Sequence, residues 1–138
     1  MRNEYKEIVI KTKGFCDMHD LSGEIAQFLR EISAGNGLLT VIVPGSTAGV
    51  TTIEYEPGLR KDMEELMEKL VPIQRYHHDS TWGDGNGFSH LRASLIGPSV
   101  TVPIKNGSPI LGTWQQVVLI DFDNRSRNRR VVFHYIGE

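Results

Sequence analysis

Val100–Ile136 reads VTVPIKNGSPILGTWQQVVLIDFDNRSRNRRVVFHYI. Its apolar runs are rich in β-branched and aromatic residues, and Asn106-Gly107 and Asp123–Asn128 interrupt them. Short apolar runs bounded by turn residues read as strands. The expected strands are Val100–Ile104, a strand pair within Ile110–Phe122, and Val131–Ile136. Asn106-Gly107 reads as a hairpin turn, because both residues accept the positive φ that such turns require. Asp123–Asn128 reads as a charged turn. Trp114, placed on a strand, reads as core. An antiparallel C-terminal meander of this kind argues for an α+β domain over a doubly wound parallel sheet.

The rest of the chain is compatible with that class. Glu4–Lys11 (EYKEIVIK) reads as a first strand, closed by Gly14. Asp17–Asp20 offers N-cap residues for a helix in which Leu21, Ile25, Phe28, Leu29 and Ile32 recur at helical spacing. Ala34–Gly37 ends it. Leu38–Val43 is a buried strand and Val50–Tyr55 another. Glu56-Pro57-Gly58 opens a second helix over Leu59–Leu70, with Met63, Leu66, Met67 and Leu70 on one face. Pro72–Gly87 reads as an irregular polar loop. Ser89–Ile96 is a short helix N-capped by Ser89 and ended by Gly97-Pro98. Two main helices and one short one thus accompany mostly antiparallel sheet, in a single domain over residues 1–138.

Composition sets limits on function. The chain has 138 residues, 39% hydrophobic and 23% charged, with a formal net charge of -2. A domain of this size buries an adequate core without disulfides. The charge gives no general attraction to nucleic acid or anionic membrane. The scattered charges of the first fifteen residues do not form a signal peptide, and no apolar run is long enough for a membrane span. Cys16 is the lone cysteine, which suits a cytoplasmic setting. No activating motif surrounds it.

Long polar loops in small domains often carry function. Pro72–Gly87 leads into Gly83–His90 (GDGNGFSH), where three glycines stand among Asp84, Asn86, Ser89 and His90. A position in the first turn of a helix keeps His90 neutral, because the partial positive charge there disfavours imidazolium. His78 lies twelve residues earlier. Two neutral imidazoles and a carboxylate from Glu54, Asp79 or Asp84 suit a divalent transition metal. The H-x11-H spacing matches no metal signature, and spacing alone favours ordinary loop histidines. His77 reads as exposed. Pro44–Gly49 (PGSTAG) is a turn whose backbone N–H groups, with Ser46 and Thr47, offer an anion nest. It lacks the ending of a phosphate-binding P-loop. Arg129 and Arg130 point to opposite faces of the last strand, so at most one faces a pocket. Arg125 and Arg127 read as a solvated strand end. Gln115 serves a pocket or an interface.

The chain resembles the YjbQ family over nearly its whole length. The resemblance is carried by Ser99, Val102, Ile104, Gly107, Gly112-Thr113-Trp114-Gln115 and Val117, by Ser46–Glu54 (STAGVTTIE), and by His78–Gly97 with Phe88–Ser94 (FSHLRAS). It implies a compact YjbQ-like α+β domain that assembles as a homotrimer, with a site near a subunit boundary. It implies functional histidines at His78 and His90 and an acidic partner at Glu54. A further histidine of many members is replaced here by Gly45, so a three-histidine metal set does not carry over. A His–His–carboxylate set, or two histidines with waters, is what remains.

The activity implied by the resemblance is that of a secondary thiamine-phosphate synthase, as a main or a side reaction. That reaction joins a pyrimidine diphosphate to a thiazole phosphate and releases pyrophosphate. It needs positive charge on the departing diphosphate, from a metal or from Arg129 or Arg130. Magnesium would prefer Glu54, Asp79 and Asp84 with water; paired histidines point to zinc or a similar ion. Two other readings stand beside it. One is a metal-dependent hydrolase using His78 and His90. The other is a non-catalytic module binding a small phosphorylated metabolite.

Overall fold

The computed structural model describes residues 1–138. Its strands are β1 (Arg2–Thr12), β2 (Asp17–Asp20), β3 (Gly37–Ile42), β4 (Ala48–Ile53), β5 (Ser99–Lys105), β6 (Ser108–Pro109), β7 (Gln116–Asp121) and β8 (Arg127–Gly137). The helices are α1 (Ser22–Glu31), α2 (Pro57–Leu70), α3 (His77–Trp82) and α4 (Gly87–Ile96). A five-stranded sheet has the order β1-β8-β3-β5-β6, and a three-stranded sheet has the order β2-β7-β4. Every pairing is antiparallel. The α+β class is as expected.

Strand alternation sorts the residues into layers. Leu39, Val41, Val131, Phe133 and Tyr135 of the large sheet meet Val50, Val117 and Leu119 of the small one, with Ile25, Phe28 and Leu29 of α1 closing the core. The other face of the small sheet, with Met18, Val118 and Ile120, packs against Met67 of α2 and Ala93 of α4. The small sheet is therefore covered on both sides. β7 reads as a nearly continuous apolar run for that reason. The large sheet leaves its outer face open, with Tyr5, Val9, Leu38 and Ile136 exposed.

Some expected elements differ from those observed. The C-terminal strands are not a meander: β7 pairs with β2 and β4, while β8 inserts between β1 and β3. Only Gln116–Asp121 of the expected strand pair forms a core strand. Gln115 Oε1 accepts from the Gly112 N–H at 3.0 Å and closes a turn, which leaves Trp114 72% exposed instead of in the core. Asp17–Asp20 forms strand β2, although Asp20 still accepts from the Ser22 N–H as α1 begins. Pro72–Gly87 is not all loop, because Asp79 accepts from the Tyr76 N–H and starts α3. Ser89 is not a cap. It is fully buried, and its hydroxyl donates to the Phe122 carbonyl at 2.6 Å.

Two glycines hold the site's frame. At Gly49 a Cβ would lie 2.7 Å from the Gly97 carbonyl, so its absence lets the end of α4 sit on β4. The Val50 N–H donates to that same carbonyl. Gly14 has φ +80, and a Cβ there would lie 2.5 Å from the Asp123 carbonyl oxygen and 2.8 Å from that of Arg125. A left-handed alanine costs about 1–2 kcal/mol, and overlap with two backbone oxygens adds to it. Gly14→Ala should lower unfolding stability by roughly 2–3 kcal/mol in denaturant titration. A loss under about 0.5 kcal/mol would show that the turn after β7 is free to shift.

Candidate functional site

α3 and α4 lie side by side and bring His78 and His90 together. Their ring centroids are 4.2 Å apart with the planes tilted by 40°. His78 Nδ1 is buried and makes no hydrogen bond. It faces Asp79 Oδ1 at 3.6 Å and Asp84 Oδ1 at 3.8 Å, too far for direct hydrogen bonds. The ligand atoms of His78, Asp79 and Asp84 lie within 4.8 Å of one another.

The two carboxylates are not equivalent. Asp79 Oδ2 accepts from the Tyr76 N–H and Oδ1 from the Gly87 N–H, both at 2.9 Å. Those two donors, with His78 beside them, hold its carboxyl below the usual range. Asp79 thus ties the start of α3 to the start of α4. The Asp84 side chain makes no hydrogen bond within the chain and is half-exposed. Its loop is fixed through the backbone, since Asn124 Nδ2 donates to the Asp84 carbonyl at 2.8 Å. His90 is held below the ordinary imidazole value, first by burial and then by the neighbouring His78. Its ring is therefore neutral at pH 7, as its place in the first turn of α4 predicts.

A cleft of about 190 Å³ opens beside this pair, lined by Gly45, Ser46, His90 and Ser94 among others. Arg129 sits against Gly45 at its edge. A Cβ at Gly45 would lie 3.2 Å from Arg129 Nη1, so a side chain at that position would press on the guanidinium.

Beneath the cleft is a buried charge network. Asp121 and Asp123 are fully buried, and Arg129 is 8% exposed. Arg129 Nε and Nη2 donate to Asp121 at 2.7 and 2.9 Å. Thr47 Oγ1 accepts from Arg129 Nη2 at 2.6 Å and donates to Asp123 at 3.1 Å. Thr12 donates to Asp121, Asn86 Nδ2 to Asp123 at 3.2 Å, and Arg127 to Asp123 at 2.8 Å. Burial alone would raise the Asp123 carboxyl, but the donors from Asn124, Asn86, Arg127 and Thr47 keep it below its ordinary value.

These contacts sort the expected site residues. His78, His90 and Asp84 gather at one end of the small sheet, with Ser46 on the cleft. Thr47 and Asn86 are there too, but their polar atoms serve the network and not an open anion nest. Of their polar atoms, Asn86 Oδ1 is buried without a partner, as is His78 Nδ1. Arg129 is the inward arginine. Arg130 points outward and pairs with Glu7 at 3.4 Å, so it is no ligand of this cleft. Glu54 stands exposed just beyond β4, roughly 20 Å along the strand from Ala48, and is not part of the histidine group within one chain. Gln115 lies at that far end too, donating to Thr52 Oγ1 at 3.1 Å. Cys16 is buried, and burial chiefly pushes its thiol up to about 11, which removes it as a nucleophile.

The family model described as UPF0047 protein YjbQ-like matches residues 6–138. A UPF0047 protein of Archaeoglobus fulgidus is 38% identical over 127 residues, 91% of this chain and 96% of that protein. The UPF0047 protein YugU of Bacillus subtilis is 34% identical over 119 residues, 86% and 89% of the two chains. Among solved structures, a hypothetical protein from Aeropyrum pernix superposes with a TM-score of 0.89 at 32% identity, covering 98% of this chain and 99% of that one. A YbjQ-like protein of unknown function from Sulfolobus solfataricus shares the fold with a TM-score of 0.93 at 24% identity, covering 99% of both. On the match of the family model and these relatives, the chain belongs to the YjbQ-like UPF0047 family.

Proposed function

We propose that the chain is a metal-dependent enzyme of hydrolytic type acting on a small phosphorylated metabolite, with His78, His90 and Asp84 holding the ion. The observation that carries this reading is His78 Nδ1, a buried and unpartnered ring nitrogen facing two carboxylate oxygens, with the neutral imidazole of His90 against its ring. Leaving such an atom unpaired costs about 1–3 kcal/mol. A divalent ion between imidazole and carboxylate donors relieves that cost, and the donor set suits zinc or a similar ion better than magnesium. Asp79 has both oxygens engaged, so Asp84 is the freer ligand. When bound, the metal supplies Lewis acidity and a lowered pKa for its water. Gly45 and Ser46 leave the room beside His90 that a substrate needs.

The synthase reaction fits this geometry less well. It needs cationic charge on a departing diphosphate, but Arg129 is neutralised by Asp121 and Arg130 faces away. Elemental analysis of the purified chain should find about one transition-metal ion per protomer. Hydrolysis of a phosphomonoester panel should stop with a chelator and return with zinc. A chain that takes up no ion, even after incubation with zinc, would leave only the binding module standing. Formation of thiamine phosphate from the two synthase substrates would replace the hydrolytic reading.

A homotrimer is the assembly proposed on the resemblance, with the exposed Tyr5, Val9, Leu38 and Ile136 on the open face of the large sheet as apolar contacts available to it. Light scattering should then give about three times the chain mass, and a clean monomer would rule the trimer out. No helix is long and apolar enough to cross a membrane.

A further inference from the structure

A second polar cleft, of about 510 Å³, lies where the end of β1 meets the turn between β7 and β8. Its lining has no apolar and no acidic residue, and Lys11, Arg125 and Arg127 supply three cations. Of these three, only Arg127 is paired with a carboxylate, the buried Asp123. This leaves a surplus of two positive charges on one patch of a chain whose net charge is -2. Lys11 and Arg125 are exposed, and neither forms an ion pair. Like charges gathered without counter-charges repel one another, so the patch is stabilised by an incoming anion.

The cleft is also preorganised. Arg127 Nε and Nη2 both engage the buried Asp123 Oδ2, at 2.8 and 2.7 Å. That fixes the guanidinium plane and leaves Nη1 without a partner in the chain. The turn carrying Arg125 is clamped on one side by Gly14 and on the other by Asn124, which holds the Asp84 loop. The Ser126 hydroxyl is exposed and free of hydrogen bonds within the chain. A planar guanidinium held in place, with an exposed lysine and a second arginine beside it, matches a phosphate group.

We propose that Lys11, Arg125 and Arg127 form a binding site for the phosphate or diphosphate group of a small molecule. The site stands independently of any metal at His78 and His90, although the turn that carries it also braces the Asp84 loop.

The test is calorimetric titration of the full-length, chelator-treated chain with inorganic pyrophosphate at low ionic strength. Saturation at about one pyrophosphate per chain is expected. Lys11→Ala/Arg125→Ala should weaken it at least tenfold, by loss of two charge-assisted contacts. Both side chains are exposed, so this variant keeps its fold, which circular dichroism verifies. Lys105→Ala/Arg130→Ala removes the same charge elsewhere and should leave binding within about twofold. No saturable binding at millimolar pyrophosphate overturns the proposal, as does equal weakening by the control pair. A single-stranded oligonucleotide that binds more tightly than pyrophosphate and displaces it would overturn the small-molecule assignment. Because metal is absent throughout, failure here leaves the histidine reading untouched.

Discussion

Arg129→Met should cost about 3–5 kcal/mol of folding stability at pH 7, the usual penalty for removing one partner of a buried ion pair. The substitution roughly keeps the volume and removes the charge. Asp121 then loses both guanidinium donors, and Thr47 loses the donor at its oxygen. Two fully buried carboxylates, two residues apart on the chain, are left with Arg127 as their only cation. Such a pair takes up a proton more readily than an isolated carboxylate.

The two proteins should therefore respond oppositely to acid. In the wild type Asp123 is held below its ordinary value. Its stabilising contribution is present above the unfolded carboxylate pKa of about 4 and is lost as pH falls through the lower folded value. In the variant the folded state binds the extra proton first. Its stability should rise as pH falls from neutrality toward about 4.5. Urea titrations at a series of pH values read both slopes. Parallel pH dependence, or a loss below about 1 kcal/mol, would show that the network is solvated and not structural.

That network also marks where the sequence stops being legible. Most strand and helix positions follow from apolar periodicity, β2 and α3 excepted, and α1, β3 and α2 lie close to where that periodicity puts them. The sheet order did not follow, because β7 and β8 look alike in sequence and only packing sends them to different sheets. The signal for the network was nevertheless present. Asp121-Phe122-Asp123 and Arg127-Asn128-Arg129 place like charges at alternate positions around a tight turn. Charges at alternate positions share one face of a strand. Read together, they predict a buried ionic set. Read singly, the arginines look like a solvated end.

The site was legible in part. The polar stretch pairs His78 with His90, and the structure brings their rings into tilted contact. Glu54 is one of the three candidate carboxylates and the one that the resemblance favours, but the length of β4 separates it from them within one chain. Asp79 was one of three candidate carboxylates, and its capping role was hidden because Pro72–Gly87 carries no helical periodicity.

His90→Ala is the sharper test of the proposed metal site. Removing an outer partner of a metal ligand typically lowers affinity 10–100-fold, and removing a ligand itself should lower it by more than about 100-fold. His78→Ala should do the same. It also removes the buried Nδ1 that makes no hydrogen bond in the metal-free chain. Without metal, then, His78→Ala should be nearly neutral for stability, despite the lost packing of the two rings. Asp79→Asn should act differently. Its oxygens join α3 to α4 through the Tyr76 and Gly87 N–H groups, so it should lower stability while weakening metal only through misplaced helices. Asp84→Asn should weaken metal without touching stability, because its side chain makes no hydrogen bond in the chain. Competition with a chromophoric chelator measures the affinities, and thermal melts of the metal-free proteins measure the stabilities. Equal metal affinity across wild type, His78→Ala and His90→Ala would remove these histidines from the ligand set. A metal loss in Asp79→Asn as large as that in His90→Ala, with an unchanged melt, would make Asp79 the ligand in place of Asp84.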